Sequence, residues 1–595
     1  MPVSEQRETW RLLQPVPEQR DTLAAELDVH SLVATVLCNR GFGLVEQARR
    51  FLAPSLAELP DPYLMADAEK AAERVCQAIV GGERICVYGD YDVDGVSAAS
   101  LLHQFFREVG TAVRVFLPDR FRDGYGVNAA RIVDLCAEGV DLFISVDCGS
   151  NAVEPVRQAR EAGCDFIICD HHQLSDPTPP ANALMNPRRL DCTYPSKDLC
   201  AVGVALVLAQ ATRRKLADSG HFKAKPPALA PLLQFAALGT IADMVPLRDV
   251  NRLLAWHGLR RLGTSRLAGV RALAAKARLT GIDRADHVGF VLGPRINAAG
   301  RVADAKTAFE LLTTDSAERA NELAGHVELQ NNKRRAIQKD VSEAALAQAT
   351  EMQGTDHAVV IADPSWHAGV VGIVAARVKD RYAVPTFVLA IDGDVAKGSG
   401  RSVEGYDLVA GLRRLASEGL FERFGGHYFA AGVTMDAAKV PQFRAALVED
   451  VRQHLSMEAR HKVIEIDAEV PVELLTLATV DAMDCLEPHG RGNPRPKLLL
   501  RDVTVADKRF MGKDEAWVRL RLVEGGDRPL WARRGAAVFC SADQASELND
   551  GDVVSAVVRL QRNHYRGDTT LQLSPVAFGP AEPAVSVVSA SRQQN

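Results

Sequence analysis

The spacing of apolar and polar positions changes rhythm several times along the chain. Residues 1–60 are polar with helical spacing, broken at Pro15, Pro17, Pro54 and Pro60. They read as an N-terminal helical extension packed on the first domain. From residue 84 short apolar runs appear: RICVYG (84–89), VRVFL (113–117), DLFISVD (141–147) and DFIICD (165–170). Between them lie amphipathic stretches at 96–110, 128–139 and 151–163. Strands alternating with helices of this length predict βαβ units and a parallel sheet. The runs are apolar throughout, as expected of strands covered on both faces.

A mostly helical region follows over about 200–350. Its last part, 317–350, has only Gly325 as a breaker and predicts one long helix connecting two domains. A second α/β unit then spans 351–462, with strands at 357–362 and 385–391, a helix at 369–382, and Gly-rich segments AKGSGRS (396–402) and RFGGHYFAAG (423–432). Over 463–580 short strands separated by turns predict a small OB-like β-barrel. Residues 581–595 read as a loose tail.

The chemistry lies at strand ends. The first run ends in Asp90, Asp92 and Asp94, the third in Asp147, and the fourth in Asp170, His171 and His172. Asp243 closes a further apolar run, FAALGTIADMVPL (235–247). In an open parallel sheet ligands bind outside the carboxyl ends of the strands, so these groups point at one crevice. Converging carboxylates repel one another unless cations bind. Carboxylates with one or two imidazoles suit Mg²⁺ or Mn²⁺, and the imidazoles tilt the choice toward Mn²⁺. Two such ions about 3.5–4 Å apart are the apparatus of phosphoester hydrolysis. Taken singly, each piece has an ordinary explanation: a helix cap, a solvated turn or a structural histidine. Their joint placement is what argues for a metal site.

Composition narrows the setting. The 595 residues suffice for about three to five domains. With 47% apolar and 25% charged residues the chain is globular rather than disordered. Its net charge of −6 excludes a uniformly basic coat but not a basic groove. Eleven cysteines without C-x-x-C spacing argue against thiolate zinc and a disulfide framework, and fit a reducing cytoplasm. The first fifteen residues lack the apolar core of a signal peptide, and no membrane span is expected.

GDYDVDG, SVDCG, DHH and ADMVPL resemble the first four motifs of the DHH phosphoesterase superfamily. PRINAAGR (294–301), WHAGVVGIVAARV (366–378), GSGRS (398–402) and RFGGHYFAAG are similar to later motifs of its RecJ family, and the resemblance covers about residues 35–580. It implies a DHH catalytic domain at 61–316, a connector at 317–350, a DHHA1-type substrate-binding domain at 351–462 and an OB-like barrel at 463–580. It implies a 5′–3′ exonuclease that degrades single-stranded DNA to mononucleotides with Mg²⁺ or Mn²⁺, acting in recombination and repair. Asp92, Asp94, Asp147, His171 and Asp243 would be the metal ligands, with Asp90 the least certain acid, either behind the ligands or part of the turn. His172 would lie against the scissile phosphate, and Asp170 would orient an imidazole. In pyrophosphatase-like relatives a histidine stands where this chain has Tyr88, so the ligand set departs from theirs.

By the same resemblance Ser399, Arg401 and Ser402 belong to a 5′-phosphate pocket, helped by Arg120 and Arg295. Arg295, Asn297 and Arg301 either bind phosphates or tie two domains together. His427 either donates to a substrate phosphate or caps a turn. Lys333, Arg334, Arg335 and Lys339 on the connector face the strand or form a solvated face. Lys508, Arg509, Lys513, Arg519, Arg521, Arg533 and Arg534 with Phe510 and Trp517 fit a base-stacking barrel surface. A narrow entrance between the two α/β domains would admit one strand and exclude a duplex. Without a Walker-type loop, strands would come from a separate helicase, and a single-strand-binding protein is the expected partner of what reads as a monomer. The chain ends soon after the barrel, so docking that needs a longer C-terminal extension is not expected. Two competing readings are a DHH phosphodiesterase of short oligoribonucleotides or cyclic dinucleotides, and a non-catalytic single-strand-binding subunit.

Overall fold

A computed structural model describes residues 9–589 apart from 121, 125, 303, 353–356, 457–462, 513–514, 527 and 566–567. The described residues divide into two compact units, one over 59–456 and one joining 9–58 with 463–589.

The first unit begins with a five-stranded, all-parallel sheet. Its order is Val113–Phe116, Ile85–Gly89, Leu142–Val146, Asp165–Cys169, Ala183–Met185. The first strand in sequence therefore lies second in space, between the strand that follows it and Leu142–Val146. That reversal of winding opens a crevice at the carboxyl ends of Ile85–Gly89 and Leu142–Val146. Helices Val93–Glu108, Ala201–Asp218 and Leu233–Ala242 pack on one another beside the sheet and are buried over most of their length. Their near-continuous apolar sequences follow from that burial.

The long helix is present as Ala317–Glu351. Its first half buries Ala320, Leu323, Ala324 and Val327, and packs against helices Ala268–Lys276, Gly293–Val302 and Lys306–Thr313. Its second half puts Val341, Ala345 and Ala349 into the core of the second α/β domain with Val359, Ile361 and Val374. One rigid element thus enters two cores. The second sheet is mixed, ordered Arg423–Gly426, Ala430–Asp436, Val395–Arg401, Thr386–Asp392, Val359–Asp363, with only the last pair parallel.

The second unit holds the predicted barrel. Strands Leu498–Met511, Trp517–Val523, Gly535–Ser541, Asp568–Pro580 and Val553–Tyr565 neighbour one another in that order, and the last pairs again with the first. The N-terminal segment departs from expectation. Thr9–Gln14 is a strand, not helix, and the segment belongs to this unit rather than to the first α/β domain. Thr9–Gln14 lies parallel between Val463–Ile466 and Val585–Ser589. Trp10 and Leu12 fill a small core with Ile464, Ile466 and Val557. The tail is accordingly not loose over Val585–Ser589. Asn39 adds donors to the Leu13 and Asp467 carbonyls at 3.1 and 2.7 Å. Polar helical spacing could not reveal a strand whose partners lie over 400 residues away.

Candidate metal centre and phosphate side

Each strand end is pinned by its neighbour. The amide of Asp90 donates to the Val146 carbonyl at 3.2 Å, that of Asp147 to Cys169 at 3.1 Å, and that of Asp170 to Met185 at 3.1 Å. The ladder thus extends one residue past each strand and fixes three acids in register at the crevice.

Asp92 caps helix Val93–Glu108, its carboxylate accepting from the amides of Asp94 and Gly95 at 2.8 and 3.2 Å. Asp94 is buried and accepts from the Ala201 and Val202 amides at 2.7 and 3.0 Å, the first turn of helix Ala201–Asp218. The positive end of that helix holds the carboxylate in place. Position 239 must be glycine, because a Cβ there would sit 2.4 Å from an Asp94 carboxylate oxygen. Asp147 adopts a left-handed backbone, φ 62°, which few residues other than Gly, Asn and Asp tolerate.

His171 Nε2 lies 3.3 Å from Asp147, 3.7 Å from Asp243 and 4.0 Å from Asp94. Ligand-capable atoms fall into three overlapping groups, each within 4.8 Å: Asp94, His171 and Asp243; Asp90, Asp92 and Asp147; and Asp147, Asp170, His171 and His172. Asp147 links all three directly or through His171.

The titration behaviour follows the crowding. Burial, then repulsion by Asp92, raises Asp94 to about 7. Asp90, Asp147 and Asp243 are raised for the same two reasons, burial first and neighbouring carboxylates second. Burial and the charge of His172 lower His171 to about 4, leaving a neutral imidazole at pH 7. One Asp90 carboxylate oxygen is buried with no hydrogen-bond partner. Oxygen donors that repel one another, an orphaned carboxylate oxygen and a neutral imidazole together fit one or two divalent cations.

Asp170 does other work. It accepts from the Ser150 amide at 2.9 Å, the His171 amide at 2.7 Å and His172 Nδ1 at 2.7 Å. Despite burial, which would raise it, the His172 bond and charge hold it well below the usual carboxylate range. His172 is pulled down by burial, but Asp170 outweighs this, with Asp243 and Asp92 adding, and lifts it to about 9. The oriented imidazole is therefore His172, and it is cationic at neutral pH. Its ring stacks on His427, centroids 5.7 Å apart and planes 22° apart. Tyr88, at the position of the relatives' histidine, is buried, and its hydroxyl donates to the Gly126 carbonyl at 3.3 Å.

A cationic cluster lies close by. The Arg120 guanidinium is 5.4 Å from the Tyr91 ring centroid. Burial first, then Arg120 and Arg334, push Arg301 down to about 10, and Arg401 adds to this. Arg401 is lowered by burial and Arg120, and donates to Ser399 Oγ at 2.8 Å. Buried guanidiniums that feel the charge of Arg120 have the chemistry to receive an anion.

Several expected phosphate binders are engaged elsewhere. Arg295 is buried in a forked pair with Glu328 of the connector, at 2.6 and 3.3 Å, and also donates to Val291. Asn297 accepts from the Val93 amide at 3.1 Å and so braces the aspartate loop. Ser402 is buried and donates to the Tyr406 carbonyl at 2.7 Å. Arg301, by contrast, stays in the cationic cluster while one of its nitrogens reaches the Gly369 carbonyl at 3.3 Å, tying the two α/β domains together. GSGRS is not a flexible loop. It forms the central strand Val395–Arg401, whose amides serve the ladder. Gly400 is needed because the Phe387 ring lies across it, 2.4 Å from where a Cβ would stand. On the connector, Arg334 is buried against Asn331 and Gln338, whereas Lys333, Arg335 and Lys339 are exposed.

Sequence reasoning missed Asn186 and Arg188. The strand Ala183–Met185 is only three residues long and gave no signal. Asn186 donates to the His172 carbonyl and to Ser150 Oγ, both at 2.9 Å. The charge of Arg188 acts on His171, Asp243 and His427. Both follow a strand end, the same signal that located the acids.

Comparison with known proteins gives the family. The DHH family N-terminal domain matches residues 84–240, the DHHA1 domain 355–453 and the RecJ OB domain 466–575. The single-stranded-DNA-specific exonuclease RecJ of Bacillus subtilis is 37% identical over 575 residues, 95% of this chain and 70% of that protein. The same-named protein of Escherichia coli is 33% identical over 523 residues, covering 86% and 89%. The chain belongs to the RecJ family. A crystal structure of RecJ with Mn²⁺ from Thermus thermophilus matches with a TM-score of 0.81 at 30% identity, covering 97% of this chain and 80% of that one. The Mg²⁺ complex of that RecJ matches with a TM-score of 0.76 at 29% identity, covering 98% and 79%.

In the RecJ OB domain, part of the expected base-binding surface is used internally. Lys508 donates to the Ala545 and Leu548 carbonyls, each at 2.7 Å. Arg521 bonds the Leu530 and Arg533 carbonyls. Phe510 and Trp517 remain exposed near the tip of one hairpin, and Lys513 lies outside the described residues. Among the described residues no helix is long and apolar enough to cross a membrane.

Proposed function

We propose that this protein is a metal-dependent 5′–3′ exonuclease that degrades single-stranded DNA to mononucleotides in recombination and repair. The observation that carries the reading is the convergence of Asp90, Asp92, Asp94, Asp147, His171 and Asp243 at the sheet's switch point, beside an arginine cluster. Asp94, His171 and Asp243 would hold one Mn²⁺ or Mg²⁺, and Asp90 and Asp92 a second, with Asp147 close enough to serve either. When bound, such ions lower the pKa of the attacking water and neutralise charge developing on the phosphorus oxygens.

The chain's own groups do the rest. His172, kept cationic by Asp170, lies against the scissile phosphate and donates to its oxygen. His427 stacks behind that ring. Arg120, Arg301, Arg401 and Ser399 receive the terminal 5′-phosphate and so fix where the strand is cut. Segment 61–316 carries catalysis, 351–462 end recognition, and the 463–580 barrel stacks bases through Phe510 and Trp517. The enzyme works as a cytoplasmic monomer on strands opened by a helicase and coated by a single-strand-binding protein.

The test uses a 5′-phosphorylated, 3′-labelled strand with Mn²⁺, and a 5′-labelled control. Progressive shortening of the 3′-labelled strand, with immediate release of the 5′ label as mononucleotide, is expected. Shortening from the 3′ end would overturn the polarity. Hydrolysis confined to dinucleotides would move the protein to small substrates.

A further inference from the structure

Two aromatic residues stand at the tip of a hairpin where folding gives them no use. Strands Arg423–Gly426 and Ala430–Asp436 are joined by a tight turn in which the His427 amide donates to the Ala430 carbonyl at 2.7 Å. The central positions of that turn are Tyr428 and Phe429. Such positions favour Gly, Asn or Asp, and large apolar side chains there do nothing for the turn. Both rings are exposed, 38% for Tyr428 and 46% for Phe429. They touch each other, centroids 4.6 Å apart at 62°, rather than folding onto the domain core.

Their backbone is held firmly. The Tyr428 carbonyl accepts from the Leu408 amide at 3.0 Å, and the Phe429 carbonyl from the Ser402 amide at 2.9 Å. Rings carried on a fixed backbone present an apolar face with the turn already ordered. The preceding residue, His427, stacks on His172 of the catalytic domain. The turn that carries the aromatic pair is thus joined, through His427, to His172 beside the metal centre.

We propose that Tyr428 and Phe429 form a stacking platform for the base of a nucleotide adjoining the scissile phosphate. The inference rests on the exonuclease reading above and names how that site holds its substrate. Every base has a π-face, so the platform grips any sequence, as an enzyme that removes successive nucleotides requires. Exposed aromatics that directly follow the residue stacked on His172 are placed to meet nucleobases rather than a protein partner.

The experiment compares wild type with the Tyr428→Ala/Phe429→Ala double variant on two 5′-phosphorylated strands. One is a normal oligothymidylate; the other lacks bases at its first few nucleotides. For wild type, removing the bases should raise KM about tenfold, a typical stacking contribution. The double variant should show that raised KM already on the normal strand and lose nothing more on the abasic one, with kcat unchanged. Tyr428→Phe should behave as wild type. A 2-aminopurine at the same position, with Mn²⁺ omitted, should be quenched by wild type and not by the double variant. Equal losses from abasic sites in both proteins would overturn the platform. So would a double variant indistinguishable from wild type on the normal strand. Failure of wild type to shorten either strand would instead sink the exonuclease reading and the platform with it.

Discussion

The acid-lined edge of the first sheet and the buried Asp450 of the second α/β domain handle charge in opposite ways. At the first, Asp90, Asp94, Asp147 and Asp243 crowd together around His171, and burial with repulsion from neighbouring carboxylates raises all four. In the second, the buried Asp450 receives Arg414 at two points, both 2.7 Å, and the Tyr406 hydroxyl at 2.6 Å. Burial would raise Asp450, but these partners bring it below its ordinary value. A carboxylate satisfied by the chain itself is structural. A set left in mutual repulsion is waiting for a cation. The same contrast separates the arginines: Arg295 is paired with Glu328, whereas Arg301 and Arg401 are lowered by burial first and by the charge of Arg120 second.

The largest effect should come from breaking the crowded set. Asp94→Asn should lower kcat by about 10³-fold or more, since the pair of cations carries most of such a reaction. Strand binding measured by anisotropy should survive. Retained hydrolysis would remove Asp94 from the centre. His172→Ala should cost about 10²–10⁴-fold in kcat, with KM little changed. Asp170→Asn, which leaves the ring uncharged and misdirected, should lie in the same direction with a smaller loss.

The arginine contrast predicts separable outcomes. Arg401→Ala should abolish preference for a 5′-phosphate over a 5′-hydroxyl, raising KM by about 10–100-fold for a lost charge-assisted bond, at unchanged thermal stability. Arg295→Met should leave end preference intact and cost about 1–3 kcal/mol of stability, because Glu328 loses its partner. Reversal of these two phenotypes would show the assignments exchanged.

How far the residues announced this arrangement depends on where their partners lie. The acids were legible because a strand end fixes position locally: Asp90, Asp147 and Asp170 each follow an apolar run by one step. The roles of Arg295, Asn297 and Ser402 were not, since Glu328, Val93 and Tyr406 meet them only through tertiary packing. The Gly-rich segment GSGRS gave no strand pattern, yet its glycines lie in a strand, where Gly400 lets the Phe387 ring lie across it. Thr9–Gln14 was hidden for the same reason, its strand partners being remote in sequence. Asn186 and Arg188 obey the strand-end rule but follow a strand too short to notice.

Metal should sharpen the comparison through stability. Adding Mn²⁺ at about 100 times its dissociation constant should stabilise the folded chain by about 2.7 kcal/mol, read as a raised Tm. Asp147→Asn should remove most of that gain. The smallest effect belongs to the paired carboxylate. Because Asp450 is lowered in the folded state, its contribution is present above the ordinary carboxylate pKa and fades as pH falls through the lowered value. Wild type should therefore lose its stability advantage over Asp450→Asn on acidification, as urea midpoints against pH would show.

The central claim is that one shared carboxylate, Asp147, joins two cation sites at the switch point of the parallel sheet. Anomalous diffraction from crystals soaked in Mn²⁺ tests it directly. The account predicts two peaks, one against Asp94, Asp147, His171 and Asp243 and one against Asp90, Asp92 and Asp147. Peaks that leave Asp147 untouched, or no peak in the crevice, would contradict it.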